Sequence, residues 1–391
     1  MPRLRKYACI KDLEARAKSR LPAFVWSYLH GGAGENAGMH RNEDGFSKVL
    51  FRAKRLAGEV TSTEKTLFGV RHAQPFGIAP VGMCNLIWPN SDRVLASLGA
   101  EKNIPYALST AGSSSIEDMA KLAGDRLWFQ LYISREDAIT ADLLKRAWDA
   151  GVRVLVFTVD VPGPARRNMA LRAGFTTALT WDGRLGVDLI THPSWALTTL
   201  TTGSPKLGNF KPYGASMSQS IGQVSRYGLT WDDFKKVRAL WKGSFVVKGV
   251  LNAEDAQRMV HEGADGIWIS NHGGRQLEGA PATIDTLPAI RSALGSKVPV
   301  MIDSGVRSGE DVAKALALGA DFVFLGRGLM YGAAAFGAAG IYHAYDIFAA
   351  ELTTALYQVG ATSVESLDTS FIMSGPKPAD AQMQHTARAA E

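Results

Sequence analysis

Two cysteines in 391 residues, Cys9 and Cys84, exclude a disulfide framework and a cysteine-rich metal site, and fit a reducing compartment. The 8 histidines show no paired spacing, so no metal is expected. No apolar run approaches the roughly 18 residues that a spanning helix needs. The most apolar stretch, Gly332 to Ile341, is too short. The basic start, Met1 to Lys6, leads into no apolar core or small-residue cleavage site, so no secretory signal is expected. There is no arginine-rich arm either. The net charge of +6 is scattered, which suits an anionic ligand or an anionic membrane surface better than nucleic acid. What remains is a cytoplasmic globular chain, 46% hydrophobic and 20% charged, long enough for a large domain.

Eight short apolar runs punctuate the chain: Pro75–Val81, Tyr106–Thr110, Trp128–Ile133, Val154–Asp160, Phe245–Val250, Gly266–Asn271, Val298–Gly305 and Phe322–Arg327. Most are continuously apolar, as strands buried on both faces are. Ser115, Thr230, Asn252 and Ser308 each precede carboxylates and open helices between the runs. The alternation predicts an α/β fold, a parallel (β/α)8 TIM barrel. Ser109, Gln130, Tyr132, Thr158, Asp160, Lys248, Ser270, His272, Asp303 and Arg327 fall at or just after the C-terminal strand ends, the rim where barrel sites are built. Residues 1–70 read as helical, over Asp12–Ser19 and Pro22–His30, and are expected to cover part of the barrel. The gap from Asp160 to Phe245 exceeds one return helix, so an insertion is expected after the fourth strand, over about 174–229. The reading is one domain over 1–375, the barrel over about 71–360, and a disordered tail over 376–391.

The run Ser270-Asn-His-Gly-Gly-Arg-Gln276 places an imidazole, His272, near a guanidinium, Arg275, with two glycines between them. A base that accepts a proton near neutral pH, beside a fork that fits a carboxylate, suits oxidation of a small acid. A glycine-rich surface turn is the plain alternative. Asp160 could orient His272 and stabilise its imidazolium, or could cap a helix or join a loop salt bridge. Tyr132 and Tyr28 could bond a substrate hydroxyl and carboxylate, although Tyr28 also fits a core aromatic. Lys248 ends a buried strand and answers a negative charge there. Gly305 and Gly326-Arg327-Gly328 end the last two strands, the usual phosphate position in barrels. Asp303 and Arg307 could hold ribose-type hydroxyls and phosphate oxygens. The glycines from Gly319 to Gly328 flank a strand and do not form a Rossmann fingerprint.

These motifs resemble the FMN-dependent L-2-hydroxy acid dehydrogenase/oxidase family. The likeness covers roughly residues 5–370. It recurs in Leu21-Pro-Ala-Phe-Val-Trp-Ser-Tyr28, Phe129-Gln-Leu-Tyr132, Thr158-Val-Asp160, Val247-Lys-Gly-Val250, Asp303-Ser-Gly-Val-Arg307 and Leu325-Gly-Arg327. The resemblance implies FMN held by Pro80, Val81, Gly82, Ser109, Gln130, Thr158, Lys248, Ser270, Asp303, Ser304, Gly305, Val306, Arg307, Gly326 and Arg327. It implies substrate contacts from Tyr28, Tyr132, Arg167, His272 and Arg275. The catalytic group would be His272 as base, Asp160 behind it, and Tyr132. One departure stands out: after Arg166-Arg167 the family commonly has an acid and a base, where this chain has Ala170 and Gly174. Arg166 could therefore share the role given to Arg167.

Within the family, Val81-Gly-Met-Cys84 and Arg275-Gln-Leu-Glu-Gly279 are similar to bacterial respiratory L-lactate dehydrogenases. Trp88-Pro89 and His192-Pro-Ser-Trp195 are similar to membrane-associated mandelate dehydrogenases. The expectation is oxidation of a small L-2-hydroxy acid, lactate favoured over mandelate. Electrons would pass to a quinone or respiratory-chain acceptor rather than to oxygen, and the resemblance implies a homotetramer. The insertion carries Arg184, Lys206, Lys211 and Arg226 against Asp182 and Asp188, with Trp181, Trp195 and a Leu-Thr-Thr-Leu-Thr-Thr run. It reads as a peripheral dock on the inner face of a membrane, with a mobile active-site lid as the alternative.

Overall fold

The computed structural model describes residues 4–174, 183–203, 206–214 and 226–373. Trp181, Asp182, the Arg184 side chain and the tail from 376 lie outside them. Eight parallel strands close into a barrel in the order β10-β3-β4-β5-β6-β7-β8-β9. They are β3 (Phe76–Ile78), β4 (Tyr106–Ser109), β5 (Leu127–Leu131), β6 (Val154–Thr158), β7 (Ser244–Val250), β8 (Gly266–Ile269), β9 (Val300–Ile302) and β10 (Phe322–Leu325). All eight predicted runs contain strands, most of which end before the run does at its C-terminal side. The ladder stops where the chain bends outward, and the polar residues read as strand ends sit on that bend.

Strand parity explains how the interior becomes a site. Successive side chains alternate between the barrel interior and the helical shell. In β6, Val154 and Val156 belong to the inner cluster while Leu155 and Phe157 belong to the outer core. The same split separates Trp128 from Phe129 and Leu131, Val246 from Phe245 and Val247, Trp268 from Ile267 and Ile269, and Met301 from Val300 and Ile302. Continuing the inward parity by one step gives Gln130, Thr158, Lys248, Ser270 and Asp303. Ser109 follows Ala107 in the same way. The inner column is therefore apolar through the barrel and polar only at its upper rung.

Two elements close the ends. A short antiparallel hairpin, β1 (Lys65–Leu67) and β2 (Val70–His72), forms the floor. Its turn, Phe68-Gly69, has positive φ at both residues, 48° and 76°, as a tight hairpin needs. The Phe68 ring packs on Trp128 at 5.8 Å, plugging the interior from below. At the other end, helices Ile10–Lys18 and Ala23–His30 form close to where the sequence placed them. A third helix, Ala37–Lys48, was not expected. Its cap comes from far along the chain: Glu278 Oε1 accepts the Glu35 and Ala37 amides at 2.6 and 3.2 Å.

The four start signals hold. Ser115, Thr230, Asn252 and Ser308 each accept an amide hydrogen bond at the N-terminus of a helix. The insertion contains helices Gly183–Thr191 and Pro193–Thr202 and a 3-10 segment, Gly208–Tyr213. Among the described residues, no helix is long and apolar enough to cross a membrane. Two residues offered as membrane contacts are otherwise engaged. Trp195 is buried, its indole donating to the Leu86 carbonyl at 3.1 Å and its ring edge-on to Phe24 at 5.6 Å. Arg226 is spent on Asp137, at 3.0 Å, and Asp233.

His72 lies buried at the floor beside Phe322. Burial, with help from Arg126, pulls its pKa down to about 4. The unfolded chain then binds a proton that the folded chain refuses between about pH 6.5 and 4. Stability is full above that window and falls as pH drops through it. His30, also drawn down to about 4 by burial, adds to the slope. Replacing His72→Phe is expected to flatten the loss by up to ~1.4 kcal/mol per pH unit. Denaturant midpoints between pH 4 and 7 check it; parallel curves for the two proteins would refute the assignment.

Candidate active site

A cavity of about 360 Å³ opens at the C-terminal mouth of the barrel. Of the residues singled out in the sequence, Tyr28, Pro80, Val81, Gly82, Ser109, Tyr132, Arg167, Lys248, His272, Arg275, Asp303, Ser304, Gly305, Val306, Arg307, Gly326 and Arg327 line it. Gln130, Thr158, Ser270 and Asp160 are not among the lining residues but back them. Gln130 accepts from Ser109 Oγ at 3.0 Å and donates to Thr158 Oγ1 at 3.0 Å. Ser270 Oγ accepts from Lys248 Nζ at 2.8 Å and from the His272 amide at 3.0 Å. Leu29, Ile87, Ala111, Val161 and Met330 also line the cavity and were missed. They are apolar residues in or beside helices and loops, and only the assembled fold shows that they face inward.

The Ser270–Gln276 run makes a sharp left-handed turn. His272, Gly273 and Gly274 have φ of 58°, 66° and 72°. A Cβ on Gly274 would lie 2.5 Å from the Met39 amide nitrogen, and one on Gly273 would lie 2.7 Å from Arg327 Nη1. Two glycines are thus required by backbone sign and by space. His272 holds the same region without that freedom, a strained state fixed by its partners. Its Nδ1 is 2.9 Å from Asp160 Oδ1, and its Nε2 is 3.3 Å from the Tyr132 hydroxyl. Asp160 caps no helix; it pairs with His272 and lies 4.0 Å from Lys248.

Charge is divided between two regions of the cavity. In the first, Lys248 Nζ lies 3.3 Å from Asp303 and 4.0 Å from Asp160. Burial alone would raise the Asp160 carboxyl, yet His272 and Lys248 together hold it below the usual value. Burial lowers the His272 imidazole, and Asp160 opposes that shift. Burial also raises the Tyr132 and Tyr28 phenols, so both remain donors.

The second region is rich in guanidinium. Arg275 Nη1 donates to the Tyr28 and Gly31 carbonyls at 2.7 Å each. Arg327 donates to the carbonyls of Leu29, Gly273 and Gly31. Burial and neighbouring Arg167 and Arg327 push Arg275 well down, and burial brings Arg327 to about 10. Carbonyls take up these donors without neutralising them, so the cluster calls for anions. Arg166 is not a lining residue; its Nε donates to Asn168 at 3.2 Å. In the same loop Arg172 pairs with Glu35 at 2.6 and 2.8 Å, and Asn168 donates to Glu35 at 2.8 Å.

The lining also fits a phosphorylated ring cofactor. Gly326 caps the helix Arg327–Phe336 with no side-chain acceptor and no acid in the first turn. An open helix N-terminus carrying an arginine at its first position is favourable only with an anion present. Arg307 Nε is buried with no hydrogen-bond partner at the same end. Lys248, Ser109 and the Gln130 amide behind it supply polar partners across the barrel mouth.

A family model described as FMN-dependent dehydrogenase matches residues 17–374. The L-lactate dehydrogenase of Pseudomonas syringae pv. syringae is 36% identical over 370 residues, covering 93% of this chain and 97% of that protein. The (S)-mandelate dehydrogenase of Pseudomonas putida is 36% identical over 368 residues, covering 93% of each. The crystal structure of a monotopic membrane protein, (S)-mandelate dehydrogenase, superposes with a TM-score of 0.90 at 35% identity, covering 94% of this chain and 99% of that one.

The turn geometry can be tested without reference to catalysis. Gly274→Ala is expected to cost about 1–3 kcal/mol of stability and to weaken cofactor retention. Gly163→Ala, where nothing lies within 4 Å of the added methyl, should be neutral. Equal melting temperatures and equal flavin content in the two variants would contradict the strained turn.

Proposed function

The chain belongs to the FMN-dependent dehydrogenase family, and from that premise we propose that it oxidises a small L-2-hydroxy acid, L-lactate first, to the 2-oxo acid. The observation that carries this reading is the pairing of His272, backed by Asp160, with the unneutralised guanidinium cluster. FMN, when bound, would accept two electrons and one of the two hydrogens that the substrate loses, the other leaving as the proton taken by His272. Arg275 and Arg167 bind the substrate carboxylate, relieving the repulsion between their own charges. Tyr28 and Tyr132 donate to the carboxylate and hydroxyl and orient them. His272 takes a proton from the substrate at Nε2, because Nδ1 is held by Asp160. Asp160 stabilises the imidazolium so formed. Lys248, held by Ser270 and Asp303, would supply positive charge to offset the negative charge of the reduced cofactor. Arg307, Arg327 and the open helix end would hold its phosphate.

A second substrate, (S)-mandelate, is favoured by the likeness to an (S)-mandelate dehydrogenase, 36% identical over 368 residues. Flavin bleaching on rapid mixing with L-lactate, glycolate and L-mandelate ranks the candidates. Peroxide release under air, against dye reduction, tests a quinone-type acceptor over oxygen.

The acceptor side rests on the insertion. Val187, Ile190, Leu197 and Leu200 stand 62–80% exposed on its two helices. Clustered exposed aliphatics on short helices suit shallow insertion into a bilayer, where a quinone resides. We place the protein peripherally on the inner face of the cell membrane. Ile190→Ser with Leu200→Ser is expected to abolish binding to anionic vesicles while leaving substrate bleaching intact. Wild-type protein that ignores such vesicles at low salt would leave the lid as the reading of this segment.

His272→Ala should retain FMN and lose bleaching by about 10²–10⁴. In the wild type, kcat/KM should rise with pH along an acid limb lying below the imidazole's ordinary value of 6.5, since the base must be neutral to act. Removing the Asp160 charge deletes what opposes the downward shift. Asp160→Asn should therefore move the limb to still lower pH and depress the plateau at least about a hundredfold. A limb displaced to higher pH would overturn the pairing.

A further inference from the structure

The helix Ala23–His30 carries Tyr28 to the cavity, yet nothing local caps it. Pro22 occupies the N-cap position, offers no side-chain acceptor, and the first turn has no acid. The acceptor comes from the insertion. Asp188, on the helix Gly183–Thr191, receives the Ala23 amide on Oδ2 at 2.6 Å. A carboxylate there satisfies a donor that the helix itself cannot and complements the positive end of its dipole.

Asp188 is itself held in place. His192 Nδ1 lies 3.3 Å from Asp188 Oδ1 and 2.7 Å from the Asp188 carbonyl oxygen. The adjoining helix is pinned by the Trp195 contacts to Leu86 and Phe24, and Arg20 reaches Ser194 Oγ at 3.5 Å. The far end of the capped helix is built into the site. The Tyr28 hydroxyl donates to the Gly82 carbonyl at 2.8 Å, and Arg275 grips the carbonyls of Tyr28 and Gly31. Between these ends lies one short helix of 8 residues, so a shift at its start is carried to its end.

We infer that Asp188 is a positioning residue for substrate binding: it caps, from the insertion, the helix that sets Tyr28 and the Arg275 fork. The inference rests on the reading of Tyr28 and Arg275 as substrate groups. Losing a cap shifts a helix equilibrium by about two- to thirtyfold. Part of that should appear in substrate affinity, and little in the chemical step or in FMN binding, whose groups lie on barrel strands, their loops and the start of the helix Arg327–Phe336.

The test uses the flavin-loaded full chain. Asp188→Ala is expected to keep its FMN absorbance and to raise KM about threefold to tenfold, with kcat within about twofold. Asp188→Asn, which keeps an acceptor oxygen, should restore KM. In the double variant with Tyr28→Phe, the Asp188→Ala effect should shrink, because both changes act through one helix. Should Asp188→Ala not fold, Asp188→Glu displaces the acceptor by one methylene and should raise KM in the same sense. Wild-type KM in a soluble variant, or an Asp188→Ala effect that adds in full to Tyr28→Phe, overturns the inference. A Tyr28→Phe variant with unchanged KM and kcat strikes the substrate reading first, and this inference with it.

Discussion

A single ammonium buried at the barrel mouth constrains the rest of the site. Lys248 is 4% exposed, and an unpaired charge there would cost several kcal/mol. Three strand ends answer it: Asp303 beyond β9, Asp160 beyond β6 and Ser270 beyond β8. Two carboxylates around one ammonium leave an excess of negative charge. Asp160 resolves this by facing two ways, toward Lys248 through one oxygen and toward His272 through the other. The local balance is complete only when the imidazole carries a proton. A base whose protonated state completes the charges around it is well placed to receive one, although its burial keeps it neutral beforehand.

Much of this was legible in the sequence, because strand parity is a local rule. An apolar run that ends in a polar residue of inward parity reveals both the barrel and its working rim, and the residues from Ser109 to Asp303 could be read that way. The Ser270–Gln276 turn was legible for a second reason. Two adjacent glycines after a buried strand mark a backbone of positive φ, and the flanking imidazole and guanidinium then both face the cavity. The fold adds that His272 itself shares the left-handed backbone, which its residue type does not advertise.

What could not be read depends on contacts between distant segments. The helix Ala37–Lys48 has a weak pattern of its own and is capped by Glu278. The floor hairpin has strands of three residues and a Phe-Gly turn, too short for a periodic signal. The Glu35 pair with Arg172, in the loop after β6, likewise joins segments far apart in the sequence. Trp195 was misjudged for the same reason. An aromatic in a Thr-rich insertion looks like an interface residue until Phe24 and Leu86 are seen to cover it. The exposed positions are the aliphatic ones around it, which the sequence does not distinguish from core.

The site thus has two kinds of parts. Strand ends and the loops that leave them carry the proposed cofactor-side groups and the proposed base, where the barrel ladder fixes each position. The proposed substrate side also draws on segments outside the ladder: the helix bearing Tyr28, and the loop after β6 bearing Arg167. Bonds that join such segments include the Asp188 cap, the Gly34 amide to the Arg166 carbonyl at 2.9 Å and the Arg167 Nε to the Arg275 carbonyl at 3.3 Å. On the proposed reading, a barrel rim for electron and proton chemistry, with a separate collar for the acid's side chain, lets the collar vary without disturbing the core. Similarity to proteins named for different hydroxy acids, over nearly the whole chain and at nearly equal identity, is what that division of labour would produce.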